Sequence, residues 1–380
     1  MLGYVTDSAT PGGLVRRQLS EPEAGPHDAV IAVRAYAVNR GELQLLQQRT
    51  DGWTPGQDGA GVVAAAAADG SGPPVGTRVV FLANWGSWSE RVAVPTHRVA
   101  PIPDDVSFAE AAALPVAGLT ALRAVRSGGS VLGRQVLITG ASGGVGHFAA
   151  QLAHAAGARV TALVSGPHRI DAVRELGINS VVTEVSGGPL DLVVDGVGGQ
   201  VLVEAVRAVA PGGTVTAYGM ASGQPSTLSF VDFGRGPLAR LVGFFLYATG
   251  EQTFGEDLGF LAGLVSDGHL RVEASISWDW SRTAEAVEAL RQRQVTGKVV
   301  LAVGRGEQGR HRTALTGPRE PSRTSAKALL TDEESAQPRC PGVQRRGCGR
   351  GARRTAAHRR CAAAPVPSLV RNSGHSHRGR

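Results

Sequence analysis

The spacing of apolar positions changes near residue 131, and this change separates two kinds of predicted structure. Up to about residue 105, short apolar runs of strand length alternate with clusters of Pro, Gly and Asp, a pattern typical of a small, barrel-like all-β unit. The expected strands cover residues 29–36, 61–66, 78–82 and 89–94. Residues 108–113 and 119–127 have helical spacing and connect this unit to the next one.

Strands and helices alternate from residue 131 to about residue 218. The expected strands are 136–138, 159–164, 180–183, 191–194 and 214–218, and the expected helices are 145–156, 167–176 and 201–208. Such alternation builds a parallel sheet with helices on both faces. The predicted fold class is therefore α/β, with a barrel-type β domain and a doubly wound, Rossmann-type parallel sheet.

The last part of the folded body does not fit the alternating pattern. Two helices are expected at 258–266 and 283–291, followed by a strand at 297–303. We expect this segment to return to the first domain. The predicted domains are residues 1–118 and 119–254, with a return segment 255–304 and a tail 305–380.

A glycine-rich turn lies where the first alternating strand meets its helix. The strand 136–138 leads into residues 140–146, and the Ala-rich helix that follows ends at Gly157. Backbone N–H groups at a helix N-terminus in this context bind a pyrophosphate. The turn therefore predicts a dinucleotide site with these cofactor-binding residues: Ser142, Gly143, Gly144, Val145 and Gly146.

The residues after the second alternating strand indicate which dinucleotide binds. NAD-binding versions of this turn have an acidic residue about 20 positions past the glycines, which binds the ribose 2′-hydroxyl. This chain instead has Ser165, followed by Arg169. A hydroxyl and a guanidinium suit a 2′-phosphate, so NADPH is the expected cofactor. The alternative is that Arg169 is a solvated residue in the first turn of a helix.

Charge is divided unevenly between the body and the tail. Residues 305–380 hold 17 of the 39 Lys and Arg and 5 of the 32 Asp and Glu, so the tail carries +12 and the rest of the chain −5. The tail has no aromatic residue, and its composition is that of a disordered segment. Nucleic acid is accordingly not an expected partner. An alternative is that the tail is a read-through extension.

Cysteine usage and hydropathy narrow the classes of protein further. All cysteines lie in the tail, so residues 1–304 contain neither a disulfide nor a cysteine-ligated metal. No apolar run reaches the ~18 residues of a membrane span, and no signal peptide is visible. A cytoplasmic location without membrane association is expected.

Short motifs in a fixed order give the chain a family resemblance. They are residues 37–43, 55–61, 76–79, 112–121, 140–146, 195–199 and 297–301. In these motifs the chain resembles the zinc-independent medium-chain dehydrogenase/reductases, the quinone oxidoreductase (zeta-crystallin-like) and enoyl reductase group. The resemblance covers nearly all of residues 1–304. It implies a GroES-like catalytic domain interrupted by a Rossmann domain, and relatives of this kind are commonly homodimers.

The resemblance implies a hydride transfer without a metal. The zinc-dependent branch has a catalytic Cys near the position of Arg40 and a His-Glu pair where this chain has Asp58 and Gly59. The implied activity is reduction of a quinone or other activated alkene or carbonyl by NADPH. Two alternatives stay open: a trans-acting enoyl reductase for a carrier-bound intermediate, and a non-catalytic NADPH-binding protein with an RNA-touching tail. Residues 42–47 lack the Tyr that related enoyl reductases often carry, which favours the quinone or enone reductase.

The motif matches also imply site residues. The catalytic candidates are Asn39, Glu42 and Tyr36, and Thr120 and Gly219 join the candidate cofactor residues. The substrate candidates are aromatic: Trp85, Trp88, Phe245 and Tyr247. Structural alternatives exist: a strand-end turn for Asn39, core packing for Tyr36, a helix cap for Thr120, and a lid or dimer contact for the loop aromatics.

Overall fold

The computed structural model of the protein describes residues 1–10, 12–234 and 236–304, with only the backbone described at residues 275 and 276. The expectations for the tail 305–380 concern residues outside this range. Within the described residues, no helix is both long enough and apolar enough to span a bilayer.

The N-terminal part is mainly strands. Its elements are β1 (Leu2–Thr6), β2 (Leu14–Gln18), β3 (Asp28–Val38), α1 (Arg40–Gln48), β4 (Asp58–Ala65), β5 (Arg78–Leu82), β6 (Arg91–Pro95) and β7 (Val99–Pro101). One face of β3 and β5 packs into a core that includes Ile31, Val79 and Phe81. Val80 and Leu82 of β5 pack into a second core on the other face, so β5 is buried on both sides.

The middle of the chain alternates helices and strands. Its elements are α2 (Phe108–Ala112), α3 (Pro115–Arg126), β8 (Gln135–Thr139), α4 (Gly146–Ala155), β9 (Arg159–Leu163), α5 (Ile170–Arg174), β10 (Ser180–Val182), β11 (Leu190–Asp195), α6 (Gly199–Arg207), β12 (Val209–Ala217) and β13 (Arg240–Gly243). The strands from β8 to β13 form one sheet in the order β10-β9-β8-β11-β12-β13, and neighbouring strands are parallel. This doubly wound sheet confirms the predicted α/β fold class.

The chain then returns to the first sheet. Its last elements are α7 (Phe254–Ser266), β14 (Ala274–Asp279), α8 (Thr283–Arg291) and β15 (Lys298–Ala302). The strand order in that sheet is β14-β15-β3-β4-β5-β7, and β6 also pairs with β3. The C-terminal strand is thus hydrogen-bonded to a strand formed some 260 residues earlier, as we expected for the return segment.

The register of three neighbouring strands determines where the polar residues meet. β15 runs antiparallel to β3, with Val299 opposite Val38. The next positions along this register are Lys298 and Asn39. On the other side of β3, Ala37 lies opposite Asp58 of β4. Strand pairing therefore brings an ammonium, an amide and a carboxylate to one end of the sheet.

Candidate active site

The glycine turn between β8 and α4 has a backbone that tolerates no side chain at its centre. Gly140 has a φ of +61°, and the amide N–H of Gly143 donates to the Gly140 carbonyl at 2.9 Å. A Cβ added to Gly146 would lie 2.2 Å from the Gly140 carbonyl oxygen. The helix can therefore start directly against the turn only because Gly146 is glycine. The half-buried residues Gly143, Gly144 and Val145 form the edge of this turn.

The start of β15 lies directly against the glycine turn. The Gly297 amide donates to the Ser142 carbonyl at 2.9 Å, and Gly297 forms a β-bridge with Gly143. A Cβ on Gly144 would lie 3.2 Å from Cδ of Lys298. The return segment thus connects the dinucleotide-type turn to the N-terminal sheet at a single point.

Lys298 forms the centre of a polar cluster beneath the turn. Its ammonium donates to Oδ1 of Asn39 at 2.6 Å and to Oδ2 of Asp58 at 3.0 Å. Lys298 is 3% exposed and Asp58 is fully buried. The other carboxylate oxygen of Asp58 accepts the amide N–H of Val116, at the start of α3, at 2.9 Å. Charge and hydrogen bonds therefore hold this buried ion pair in one geometry.

Glu42 is a second buried carboxyl next to this cluster. Its oxygens accept the backbone N–H groups of Asn39 at 2.7 Å and Gln57 at 3.1 Å. Burial, followed by the negative charge of Asp58, raises the pKa of Glu42 to about 8, although the two N–H groups and Lys298 act in the opposite direction. Glu42 connects the start of α1 to the segment before β4, and this role follows from its place in the first helical turn.

Three arginines gather beside Ser142. The guanidinium of Arg169 donates to Ser142 Oγ at 3.4 Å and to the carbonyls of Val295 at 3.2 Å and Arg293 at 2.9 Å. Its Nε is buried without a hydrogen-bond partner. Burial, and then the charges of Arg293 and Arg169, lower the pKa of Arg40. The positive charges that act on Arg40 in this way favour a bound anion in the region.

Two of the aromatic candidates lie in the core. The hydroxyls of Tyr36 and Thr283 share a 2.6 Å hydrogen bond, and the Tyr36 ring stacks on Trp88 with centroids 5.7 Å apart. Both aromatic side chains are fully buried among the residues of the first sheet. This placement corrects two expectations: Tyr36 and Trp88 pack the core, because β3 alternates and turns Tyr36 inward. Neither remains a candidate for proton donation or substrate stacking.

The other aromatic candidates lie in loops. Tyr247 packs against Phe245 and Phe254, with ring centroids 5.3 Å and 6.4 Å away. Its hydroxyl is buried and has no hydrogen-bond partner. Burial raises the Tyr247 pKa, and the charges of Asp58 and Glu42 add to this effect, so the phenol faces the polar cluster. Phe245 is 66% exposed, and Trp85 packs on Trp53 at 5.0 Å.

The remaining cofactor candidates lie around the same turn or at the same sheet edge. Ser165 is exposed directly after β9. Gly219 follows β12, and a Cβ there would lie 3.0 Å from the Gly196 carbonyl. Thr120 is buried in the middle of α3, which begins at Pro115, so the alternative of a helix cap is wrong.

Three site residues have roles that the sequence did not predict. Lys298 and Asp58 lie in family motifs without an expected role, and Arg293 lies outside the motifs. One signal was present: Lys298 is one of only two lysines in a chain with 37 arginines. Across residues 1–10, 12–234 and 236–304, no group of three or more His, Cys, Asp and Glu side chains is placed to hold a metal ion.

The fold and site define a two-part dinucleotide-dependent oxidoreductase, and comparison with known families agrees. Residues 25–104 match the family described as alcohol dehydrogenase GroES-like domain. Residues 171–301 match the family described as zinc-binding dehydrogenase. The chain belongs to the medium-chain dehydrogenase/reductases, in the quinone oxidoreductase and enoyl reductase group.

Individual relatives cover most of the described chain. The synaptic vesicle membrane protein VAT-1 homolog of Homo sapiens is 27% identical over 325 residues, covering 77% of this chain and 83% of that protein. The trans-enoyl reductase tazE of Aspergillus terreus is 34% identical over 216 residues, covering 49% of this chain and 70% of that protein. The structure of the quinone oxidoreductase from Coxiella burnetii is similar with a TM-score of 0.68 at 25% identity, covering 80% of this chain and 99% of that one.

Proposed function

We propose that this protein is an NADPH-dependent reductase that transfers hydride to a quinone or another activated alkene or carbonyl. The observation that carries the proposal is the hydrogen bond of Gly297 to the glycine turn, because the next residue, Lys298, brings a buried amide and an ion pair beside a dinucleotide-type turn. The relation to a solved quinone oxidoreductase supports the acceptor class.

The residues around the turn fit NADPH in shape and charge. The glycine turn ends where α4 begins, and backbone N–H groups at such a helix start suit a pyrophosphate, although the Gly143 N–H already donates to the Gly140 carbonyl. Arg169, which donates to Ser142, supplies a cation for a 2′-phosphate, and the charge of Arg293 acts in the same region. The buried, unpartnered Nε of Arg169 is a donor that an anion would satisfy. Arg40 adds a third positive charge to the same region.

The protein's own part in the reaction is orientation and proton supply. Bound NADPH would supply the hydride, and an electron-poor acceptor would need no metal ion to receive it. The side chains of Asn39, Lys298 and Asp58 hold fixed dipoles and charges beside the place where the acceptor would lie. In this proposal the buried hydroxyl of Tyr247 donates the proton that completes the product.

The cofactor assignment is tested by substitution of Arg169. We expect Arg169→Ala to raise the Kd for NADPH by about 10- to 100-fold, the loss of one charged phosphate contact, and to leave the Kd for NADH within about 2-fold. Arg174→Ala, an exposed arginine on α5, is the matched control. Equal effects on both dinucleotides would contradict the role of Arg169 in cofactor choice.

The acceptor class is tested by NADPH oxidation over a panel of free quinones, enones and aldehydes. Turnover with quinones and enones but not with simple aldehydes is expected. Binding of NADPH without oxidation by any of these electrophiles would contradict the proposal and favour a non-catalytic binding protein.

A second candidate is a trans-acting enoyl reductase. The 34% identity to a trans-enoyl reductase favours it. Enoyl thioesters of a carrier or of pantetheine distinguish the two, because a dedicated enoyl reductase would give a kcat/KM for the thioester well above that for any free quinone.

A further inference from the structure

The amide nitrogen of Asn39 has no partner although it is buried. Among the described side chains, Nδ2 of Asn39 makes no hydrogen bond, while Oδ1 of the same amide accepts from Lys298. Buried polar atoms in folded proteins are nearly always paired, so an unpaired NH₂ group beside a dinucleotide turn requires an explanation.

Lys298 determines which way the amide points. An ammonium carries only donors, so the end of the Asn39 amide that faces it must be the carbonyl oxygen. The NH₂ group is thereby directed away from Lys298. Asp58 fixes the ammonium in turn, and the Val116 amide fixes Asp58. The orientation of the amide is thus set by a chain of contacts from three separate elements.

The position of this amide suits a reacting ligand. Asn39 immediately follows β3, and Gly297, next to Lys298, donates its N–H to the glycine turn at the Ser142 carbonyl. The unpaired NH₂ group of Asn39 therefore belongs to a buried polar cluster that adjoins the glycine turn.

The use of lysine at this position is itself informative. The chain has 37 arginines and two lysines, so a lysine at residue 298 is an exception among its cationic residues. A compact ammonium on a flexible stem can donate to two neighbouring oxygens at once, whereas a planar guanidinium needs more room and a fork-shaped partner. The 3% exposure of Lys298 leaves no such room.

We propose that Lys298 and Asp58 are positioning residues that orient the Asn39 amide, so that its Nδ2–H donates a hydrogen bond to the carbonyl oxygen of the electron-poor acceptor. The inference rests on the proposed function. During reduction the acceptor gains a hydride at carbon from the reduced dinucleotide, and its π electron pair moves onto this oxygen. The dinucleotide is left oxidised, and a proton from Tyr247 or water completes the product. The amide donor stabilises the negative oxygen as it forms.

The first test replaces only the donor. Asn39→Asp keeps the size of the side chain and an oxygen for Lys298, but it removes the N–H. With full-length protein, NADPH and 1,4-naphthoquinone, we expect kcat to fall by about 100-fold, the usual effect of losing one oxyanion donor. The thermal midpoint should stay within a few degrees. Asn179→Asp, on the far edge of the parallel sheet, is the control for the added charge and should stay within about 2-fold. If Asn39 is only structural, Asn39→Asp retains kcat within about 3-fold, and the inference is overturned.

The second test asks whether Lys298 acts through Asn39. Lys298→Met and Asn39→Ala are each expected to lower kcat by about 30- to 100-fold, and the double variant to be no worse than the poorer single variant. Additive losses would show that Lys298 acts independently and would overturn the positioning role. If Lys298→Met does not fold because Asp58 is left unpaired, the combined variant Lys298→Met and Asp58→Asn replaces it in the double-mutant cycle, since it removes both charges.

The wild-type protein separates this inference from the function on which it rests. If wild-type protein binds NADPH but does not oxidise it with any quinone or enone, the proposed function fails and this inference fails with it. If wild-type protein turns over and the cycle is additive, the inference alone fails.

Discussion

Glu42 makes the stability of the protein depend on pH. Its pKa is raised from 4.5 to about 8 in the folded protein, mainly by burial. Between these values the folded state binds a proton that the unfolded chain releases, so this group stabilises the fold below pH 4.5 and loses that contribution as the pH rises through about 8.

We therefore expect Glu42→Gln to gain stability relative to wild type as the pH rises from 5.5 to 8. The difference in the free energy of unfolding should shift in the variant's favour by at least about 1.4 kcal/mol, the equivalent of one pKa unit. Urea unfolding at the two pH values measures it. A difference that is the same at both would show that Glu42 does not titrate in this range.

Removing the hydroxyl of Tyr247 is expected to affect catalysis, whereas removing the hydroxyl of Tyr36 is expected to affect stability. Tyr247→Phe removes a hydroxyl without a partner, so stability should be kept while kcat with an enone falls by about 10-fold or more. Tyr36→Phe removes the hydrogen bond with Thr283 and should cost about 1 kcal/mol of stability with kcat retained. Enone turnover and thermal unfolding of both variants give the answer, and an unchanged kcat in Tyr247→Phe would assign proton transfer to water.

At the scale of single elements, the conformation of the glycine turn depends on the absence of a side chain at Gly146. In Gly146→Ala the new Cβ would meet the Gly140 carbonyl at 2.2 Å, so the turn must move away from the start of α4. We expect the NADPH Kd to rise more than about 10-fold and the thermal midpoint to fall. Gly263→Ala in α7 meets nothing within 4 Å and should stabilise the protein by about 0.5–1 kcal/mol. Tight NADPH binding by Gly146→Ala would exclude the turn from the cofactor site.

Elements with strong periodicity could be predicted from the sequence, and elements shaped by tertiary contacts could not. The helix at 283–291 has the expected bounds, and β5 has the expected bounds 78–82. β12 begins at Val209, earlier than expected, because Pro211 and Gly212 lie inside a strand whose pairing with β11 shifts register. From the local sequence alone, a Pro followed by a Gly predicts a loop at this position.

The candidate site was only partly predictable for the same reason. Asn39, Glu42 and the glycine turn lie in local motifs, and the structure places them close together. The ion pair of Lys298 with Asp58 joins residues 240 positions apart, and it depends on the pairing of β15 with β3. No local pattern contains such a contact. The burial of Tyr36 and Trp88 was not predictable, because the inward or outward orientation of an aromatic side chain depends on tertiary packing.

At the scale of the whole molecule, β13 offers an edge for a second copy of the chain. This edge strand is exposed, and Leu238 beside it is 90% exposed. Apolar residues on an unpaired edge favour association. We expect a homodimer by light scattering, and we expect Val242→Lys to give monomers while Leu132→Lys, an exposed leucine elsewhere, does not. A concentration of 100 μM is roughly a hundred times the Kd of a stable dimer. Wild-type protein that is monomeric at this concentration would contradict the expected homodimer.

In the proposed reaction, an electron-poor acceptor in this site would receive a hydride from bound NADPH. The most direct measurement mixes the full-length protein, loaded with NADPH, with 1,4-naphthoquinone and follows the absorbance of the reduced nicotinamide in a stopped-flow instrument. We predict an exponential loss of one equivalent of NADPH per chain, which is slower with NADPH deuterated at the transferred position. Absorbance that persists with every quinone and enone, although NADPH is bound, would contradict the central claim.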